Sequence, residues 1–126
     1  MNSRLMLTVA AIYLGLVGMG LLLAPTFMVL DLPDTASSLL VAQLRAMSDV
    51  FIGVAVIDWL ARDAEASKAR DAIILGNTVG FGLSVLLGIS VVLTGNDIVS
   101  WVYTGLSLFC LVGFVTVTRA NMSVAT

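Results

Sequence analysis

The chain has 126 residues, 60% of them hydrophobic and 11% charged, with a net charge of −2; a mean hydropathy of +1.09 lies far outside the soluble range, so lipid is the solvent such a surface requires. No basic field exists to attract nucleic acid, which is excluded as a partner. Histidine is absent and cysteine occurs once, at Cys110, which removes histidine-ligated haem, the usual zinc sites, a Ser-His-Asp mechanism and any internal disulfide.

The first apolar block runs from about residue 5 to 24, close to the ~20 residues that a hydrocarbon core near 30 Å requires, and Pro25 closes it. Arg4 before an apolar run also suits a signal peptide, but the run is longer than a usual signal core and no small-x-small cleavage site precedes Pro25, so the helix is expected to stay in the mature protein. The segment from Thr26 to Pro33 is too short to span and too apolar for a solvated loop. It reads as a connector resting at the outer interface, or as a lid over a cavity opening outward.

The second block, about residues 35–61, follows the turn signals Asp31, Pro33 and Asp34, with Asp34 or Thr35 as N-cap. Residues 62–71 form a charged connection with no room for another domain. The third block covers about residues 72–94 and stops at Gly95, and the fourth covers about residues 97–118 from a cap at Asn96 or Asp97. A tight hairpin joins the last two. The expected architecture is all-α, a single antiparallel up-down bundle of four transmembrane helices.

Positive charge orients it. Arg4, Arg62, Lys68, Arg70 and Arg119 lie at the amino end, in the second loop and at the carboxyl end, while the first and third loops hold only Asp31, Asp34 and Asp97. With an even number of crossings, the basic regions share one face, and the positive-inside rule makes that face, with both termini, cytoplasmic. Trp59 and Trp101 then fall near opposite interfaces. A bacterial inner membrane is the expected location, with membrane lipid in contact.

The most informative residues are Arg45 and Asp49, which lie deep in the second helix, Asp49 near the midplane. Each ionised group there costs at least about 2.5–3.5 kcal/mol, so each should face the bundle interior, a water-filled cavity or a partner chain rather than lipid. Four residues apart, they share a helical side and can partly neutralise each other, although Arg before Asp is the less favourable order. Ser38, Ala42, Ser48 and Gly53 are expected along the same side, with Gln43 at one edge. One reading is a structural pair that fixes register or docks a partner helix; the other is a site for an anionic ligand at Arg45 or a proton on Asp49.

Asn77 in the third helix completes the polar set, as interhelical glue or as a ligand contact. Asp58 and Arg62, in the favoured order at i and i+4, suit an interfacial salt bridge. Gly76, Gly80, Ser84 and Gly88 recur every four residues and read as a helix-packing face, with a shorter version in Ala11 and Gly15, and Gly18 beside it. Ser100, Thr104 and Ser107 form a polar edge that suits hydrogen bonding to backbone. Val17-Gly-Met-Gly-Leu21 resembles Val79-Gly-Phe-Gly-Leu83, which suggests two related hairpins. Cys110 reads as plain packing.

A first helix ending in Pro25, a second carrying Leu44-Arg45-Ala-Met-Ser-Asp49 and then Gly53, and a glycine-rich third helix together look like small four-helix bacterial membrane proteins of the DoxX-like kind. That resemblance implies the four-helix fold and an association with membrane redox or envelope machinery. From the residues themselves, the preferred function is a non-enzymatic accessory or assembly subunit that docks on other membrane-protein subunits. An oligomeric transporter or channel using Arg45 and Asp49 is the alternative. A membrane enzyme ranks last, because no nucleophile-base pair or metal cluster can be assembled. No cofactor or metal is expected of the chain itself, although a partner could bring a bound lipid or apolar cofactor.

Overall fold

The computed structural model describes residues 2–28, 38–94 and 98–124, with side chains through Ala120. It is helical among the described residues: α1 (Ser3–Leu23), the short α2 (Pro25–Met28), α3 (Ser38–Ala61), α4 (Lys68–Thr94) and α5 (Ile98–Val124). Four of these are long and apolar enough to cross a membrane. Their outward surfaces are apolar too: Leu16, Val50, Leu60, Leu86, Leu87 and Leu93 are all exposed. A water-soluble domain rarely exposes apolar surface so extensively, so the chain reads as an integral membrane protein.

Helix boundaries follow local chemistry more than the apolar runs. Ser67 accepts a hydrogen bond from the Arg70 amide at 3.3 Å, an N-cap that starts α4 four residues before the expected Ala72. The added turn holds Lys68, Arg70 and Asp71, and Asp71 complements the positive end of the helix dipole. Pro25 terminates α1 but also opens α2, where a missing N–H is no loss. Of the expected interfacial segment, Thr26, Phe27 and Met28 lie in α2; its remainder, with Asp31, Pro33, Asp34 and Thr35, lies outside the described residues, as do Gly95, Asn96 and Asp97.

The chain divides into two units, Thr8–Leu60 on one hand and Met1–Leu7 with Ala61–Thr126 on the other. In the first, α1 packs on α3 through small residues. A Cβ at Gly15 would lie 3.7 Å from Ala55 Cβ, and one at Gly18 would lie 2.7 Å from Ile52 Cγ1 and 3.1 Å from the Ile52 nitrogen. As numbers rise along α1 they fall along α3, so the two helices run antiparallel. Small residues here allow the backbones to approach closely, which is how helices associate where no hydrophobic effect separates them from lipid. Gly15 of the expected Ala11 and Gly15 face meets α3, Ala11 is buried, and the closest approach is at Gly18 beside them.

In the second unit α4 and α5 are likewise antiparallel. Phe81 and Phe114 stack with centroids 5.8 Å apart and planes inclined by 15°, and the Thr78 and Thr118 hydroxyls lie 3.4 Å apart. Gly82 approaches Leu111, and Gly88 is covered by Thr104. Cys110 is buried in this contact region of α5, with Phe114 and Val117 on the same side. Arg4, at the start of α1, reaches Asp63 with an N–O distance of 2.9 Å, and Arg62 takes the other Asp63 oxygen at 3.1 Å. The amino end of α1 and the segment after α3 therefore meet at one place.

The two glycine motifs proposed as a repeat sit in different surroundings. Gly18 is pressed against α3, whereas a Cβ at the matching Gly80 would meet nothing within 4 Å.

Candidate functional site

The residues that carry chemistry lie on α3, and their depth follows from helix length. At about 1.5 Å per residue, the helix from Ser38 to Ala61 is about 36 Å long, enough to cross the hydrocarbon core. Asp49 falls at its midpoint and Arg45 one turn nearer its amino end.

α3 carries two heptad-spaced seams side by side. Val41, Leu44, Ser48, Phe51, Ala55 and Asp58 form the first, and each is buried or partly buried. Ser38, Ala42, Arg45, Asp49, Ile52 and Val56 form the second; all are exposed except Ile52, which is partly buried against Gly18 of α1. Because residues advance about 100° each, the second seam is rotated by roughly a quarter turn from the first. α3 is also the least buried of the four long helices.

Ser48 is fully buried in the first seam, and its hydroxyl donates to the Arg45 carbonyl at 2.5 Å. It therefore leaves the polar stripe on which it was expected, because the 3-residue step from Arg45 carries it onto the covered side. Gln43 is exposed on a third side of the helix. Of the expected set, the fold keeps Arg45 and Asp49 on one face, sends Ser48 inward and turns Gln43 away. Within its unit, α1 leaves Arg45 and Asp49 exposed, and no ion pair joins the two among the described residues.

Asn77 is buried in α4 and donates from Nδ2 to the Ile73 carbonyl at 3.1 Å. Its place is about two and a half turns inside the helix because α4 begins early. The glycine row on α4 does not form one straight face. Each 4-residue step rotates about 40°, so the row precesses by about 120° from first to last member. Gly88 reaches α5, Ser84 is partly buried, and Gly76 and Gly80 point into open space.

Threonine and serine hydroxyls mostly satisfy themselves on their own helices. Thr78, Thr104 and Thr118 donate to the carbonyls of Ile74, Ser100 and Phe114 at 2.9, 2.7 and 2.9 Å. The polar edge of α5 behaves as expected at Thr104, while Ser107 is fully buried.

Asp58, expected to pair with Arg62 at the interface, is fully buried at the end of the first α3 seam. Its heptad spacing from Ala55 and Phe51 carried the signal, and its position near the helix end hid it.

Comparison with known proteins brings no relative to this geometry: no protein-family model matches the sequence, and neither a curated protein nor a solved structure matches it significantly.

Proposed function

We propose that this protein is a non-enzymatic accessory or assembly subunit of a bacterial inner membrane, an up-down four-helix bundle that docks through α3 on membrane-protein neighbours. One observation carries the reading: Arg45 and Asp49 are both exposed at mid-depth on α3, uncovered by α1, the helix that packs on α3 within its unit. A charge at that depth is not stable against acyl chains, and in this reading a docked neighbour completes its surroundings. The exposed neighbours Ala42 and Ala46, with Gly53, offer a small-residue surface for close helix approach.

The topology is argued from charge and from pairing. All five basic residues outside α3 belong to regions that an even number of crossings puts on one side, and the rule for positive charge makes that side cytoplasmic. The Arg4–Asp63 bridge supports a common side for the amino end and the second loop. The antiparallel pairs α1/α3 and α4/α5 fit the same layout, as does the resemblance to DoxX-like proteins.

Photo-crosslinking in native membranes tests docking. A crosslinker at Ala42 or Ala46 should capture protein, whereas one at the exposed Met47, about 100–140° around α3 from them, should capture lipid. Loss of solute or proton flux in Asp49→Asn proteoliposomes, with folding and oligomer size unchanged, would replace this reading with transport.

A further inference from the structure

We infer that the side of α5 turned away from its buried row holds an anionic phospholipid, with the lipid phosphate on Arg119 and an acyl chain along the apolar residues beside it. The two sides of the helix differ sharply. Ser107, Cys110, Phe114 and Val117 line the buried side. Trp101, Leu108, Val112 and Arg119 run along the other, roughly 160° round the axis, and all four are exposed.

That exposed stripe has the length of a bilayer core. From residue 101 to residue 119 is about five helical turns, or about 27 Å, against about 30 Å for the hydrocarbon region. Its middle is apolar, one end is a tryptophan suited to the headgroup boundary, and the other end is a cation. An arginine at the edge of an acyl-chain surface reaches lipid phosphate first, and its guanidinium fork matches two phosphate oxygens.

Pairing with α4 determines which lipid. The Thr78 and Thr118 hydroxyls lie 3.4 Å apart, so Arg119 stands about level with Asn77, and α4 continues about 13 Å past it to Lys68. Gly82 meets Leu111 at one edge of the α4/α5 contact. Lys68 and Leu75, two heptads and one heptad before Gly82, follow that edge and are exposed. Leu111 lies between Phe114 and the Arg119 stripe, so Lys68 and Arg119 flank the same groove. Neither cation has an ion pair among the described residues: Asp63 is shared by Arg4 and Arg62, and Asp71 of α4 lies about 9 Å along the axis from the level of Arg119. A zwitterionic lipid brings an ammonium group into the field of Lys68 along with its phosphate, whereas phosphatidylglycerol brings the phosphate alone. Net negative charge on the headgroup is what the two cations select.

The experiment uses the full chain carrying Trp59→Phe and Trp101→Phe in vesicles of phosphatidylcholine and phosphatidylglycerol, one of the two brominated on its acyl chains. A single tryptophan introduced by Val112→Trp is quenched by lipid beside the stripe, and one introduced by Leu87→Trp, about 140° round α4 from Gly82, by lipid elsewhere. Quenching should favour phosphatidylglycerol about fivefold at position 112 and show no preference at position 87. Arg119→Gln should remove the preference at 112, while Arg119→Lys should keep about half of it, showing that charge and not folding was lost. Excess inorganic phosphate should leave it intact. Equal quenching by the two lipids at 112, a preference that survives Arg119→Gln, or one of the same size at 87 overturns the inference. A preference abolished by inorganic phosphate overturns it too, by assigning the site to a free anion.

Discussion

Gly18 of α1 lies so close to Ile52 of α3 that a methyl group in place of its hydrogen would sit 3.1 Å from the Ile52 backbone nitrogen and 2.7 Å from its Cγ1. A backbone atom cannot swing aside as a side-chain terminus can, so the two helices must separate to admit the methyl. Gly18→Ala is expected to destabilise the chain by about 1–3 kcal/mol. Gly80→Ala, with open space around it, should leave stability unchanged or raise it by up to about 1 kcal/mol. Denaturation in detergent, followed by circular dichroism, distinguishes them; equal losses at both positions would contradict the close approach at Gly18.

Gly88 and Thr104 should behave as a coupled pair. A Cβ at Gly88 would collide with the Thr104 side chain, whose hydroxyl is held by the Ser100 carbonyl. Gly88→Ala is expected to destabilise and Thr104→Ala to cost less. The double variant should recover most of the Gly88→Ala loss, with an interaction energy of about 0.5–3 kcal/mol from a double-mutant cycle. Strict additivity would mean that the two residues do not meet.

Phe114 is fully buried and stacked on Phe81, whereas Phe109 on the same helix is exposed. Phe114→Ala is therefore expected to remove about 3–5 kcal/mol of stability. Phe109→Ala should change it by about 0.5 kcal/mol or less, as at other sites remote from packing. Unfolding midpoints at fixed detergent concentration compare the two.

Membrane sidedness is open to direct labelling. In a Cys110→Ser background, an impermeant maleimide applied from the cytoplasmic side should modify Ser3→Cys and Ser67→Cys, and one applied from outside should modify Thr94→Cys. Modification of positions 67 and 94 from the same side would remove the even-crossing topology.

The existence and number of the long helices were legible in sequence because about 20 consecutive apolar residues is a strong signal. Their ends were not, since a membrane helix continues into water wherever a cap allows it. Ser67 supports a charged first turn of α4 that a hydropathy profile assigns to the loop. Side-chain direction was harder still. Arg45, Ser48 and Asp49 fall within one broad polar sector on paper, but the covered seam of α3 is narrow enough to take Ser48 and leave the other two outside. The precession of Gly76, Gly80, Ser84 and Gly88 shows the same physics: a constant step of 4 is a spiral, and contact with α5 begins only where the spiral meets it.

The self-bonded hydroxyls of Thr78, Thr104 and Thr118 have a consequence for assembly order. With these three hydroxyls already held by carbonyls of their own helices, α4 and α5 owe nothing to their neighbours at those positions when they enter lipid. Association then becomes a matter of shape, settled by where a glycine leaves a notch and where a threonine or isoleucine fills it. On α3 the guanidinium of Arg45 and the carboxylate of Asp49 are different, because a single helix cannot quiet an ionised group alone.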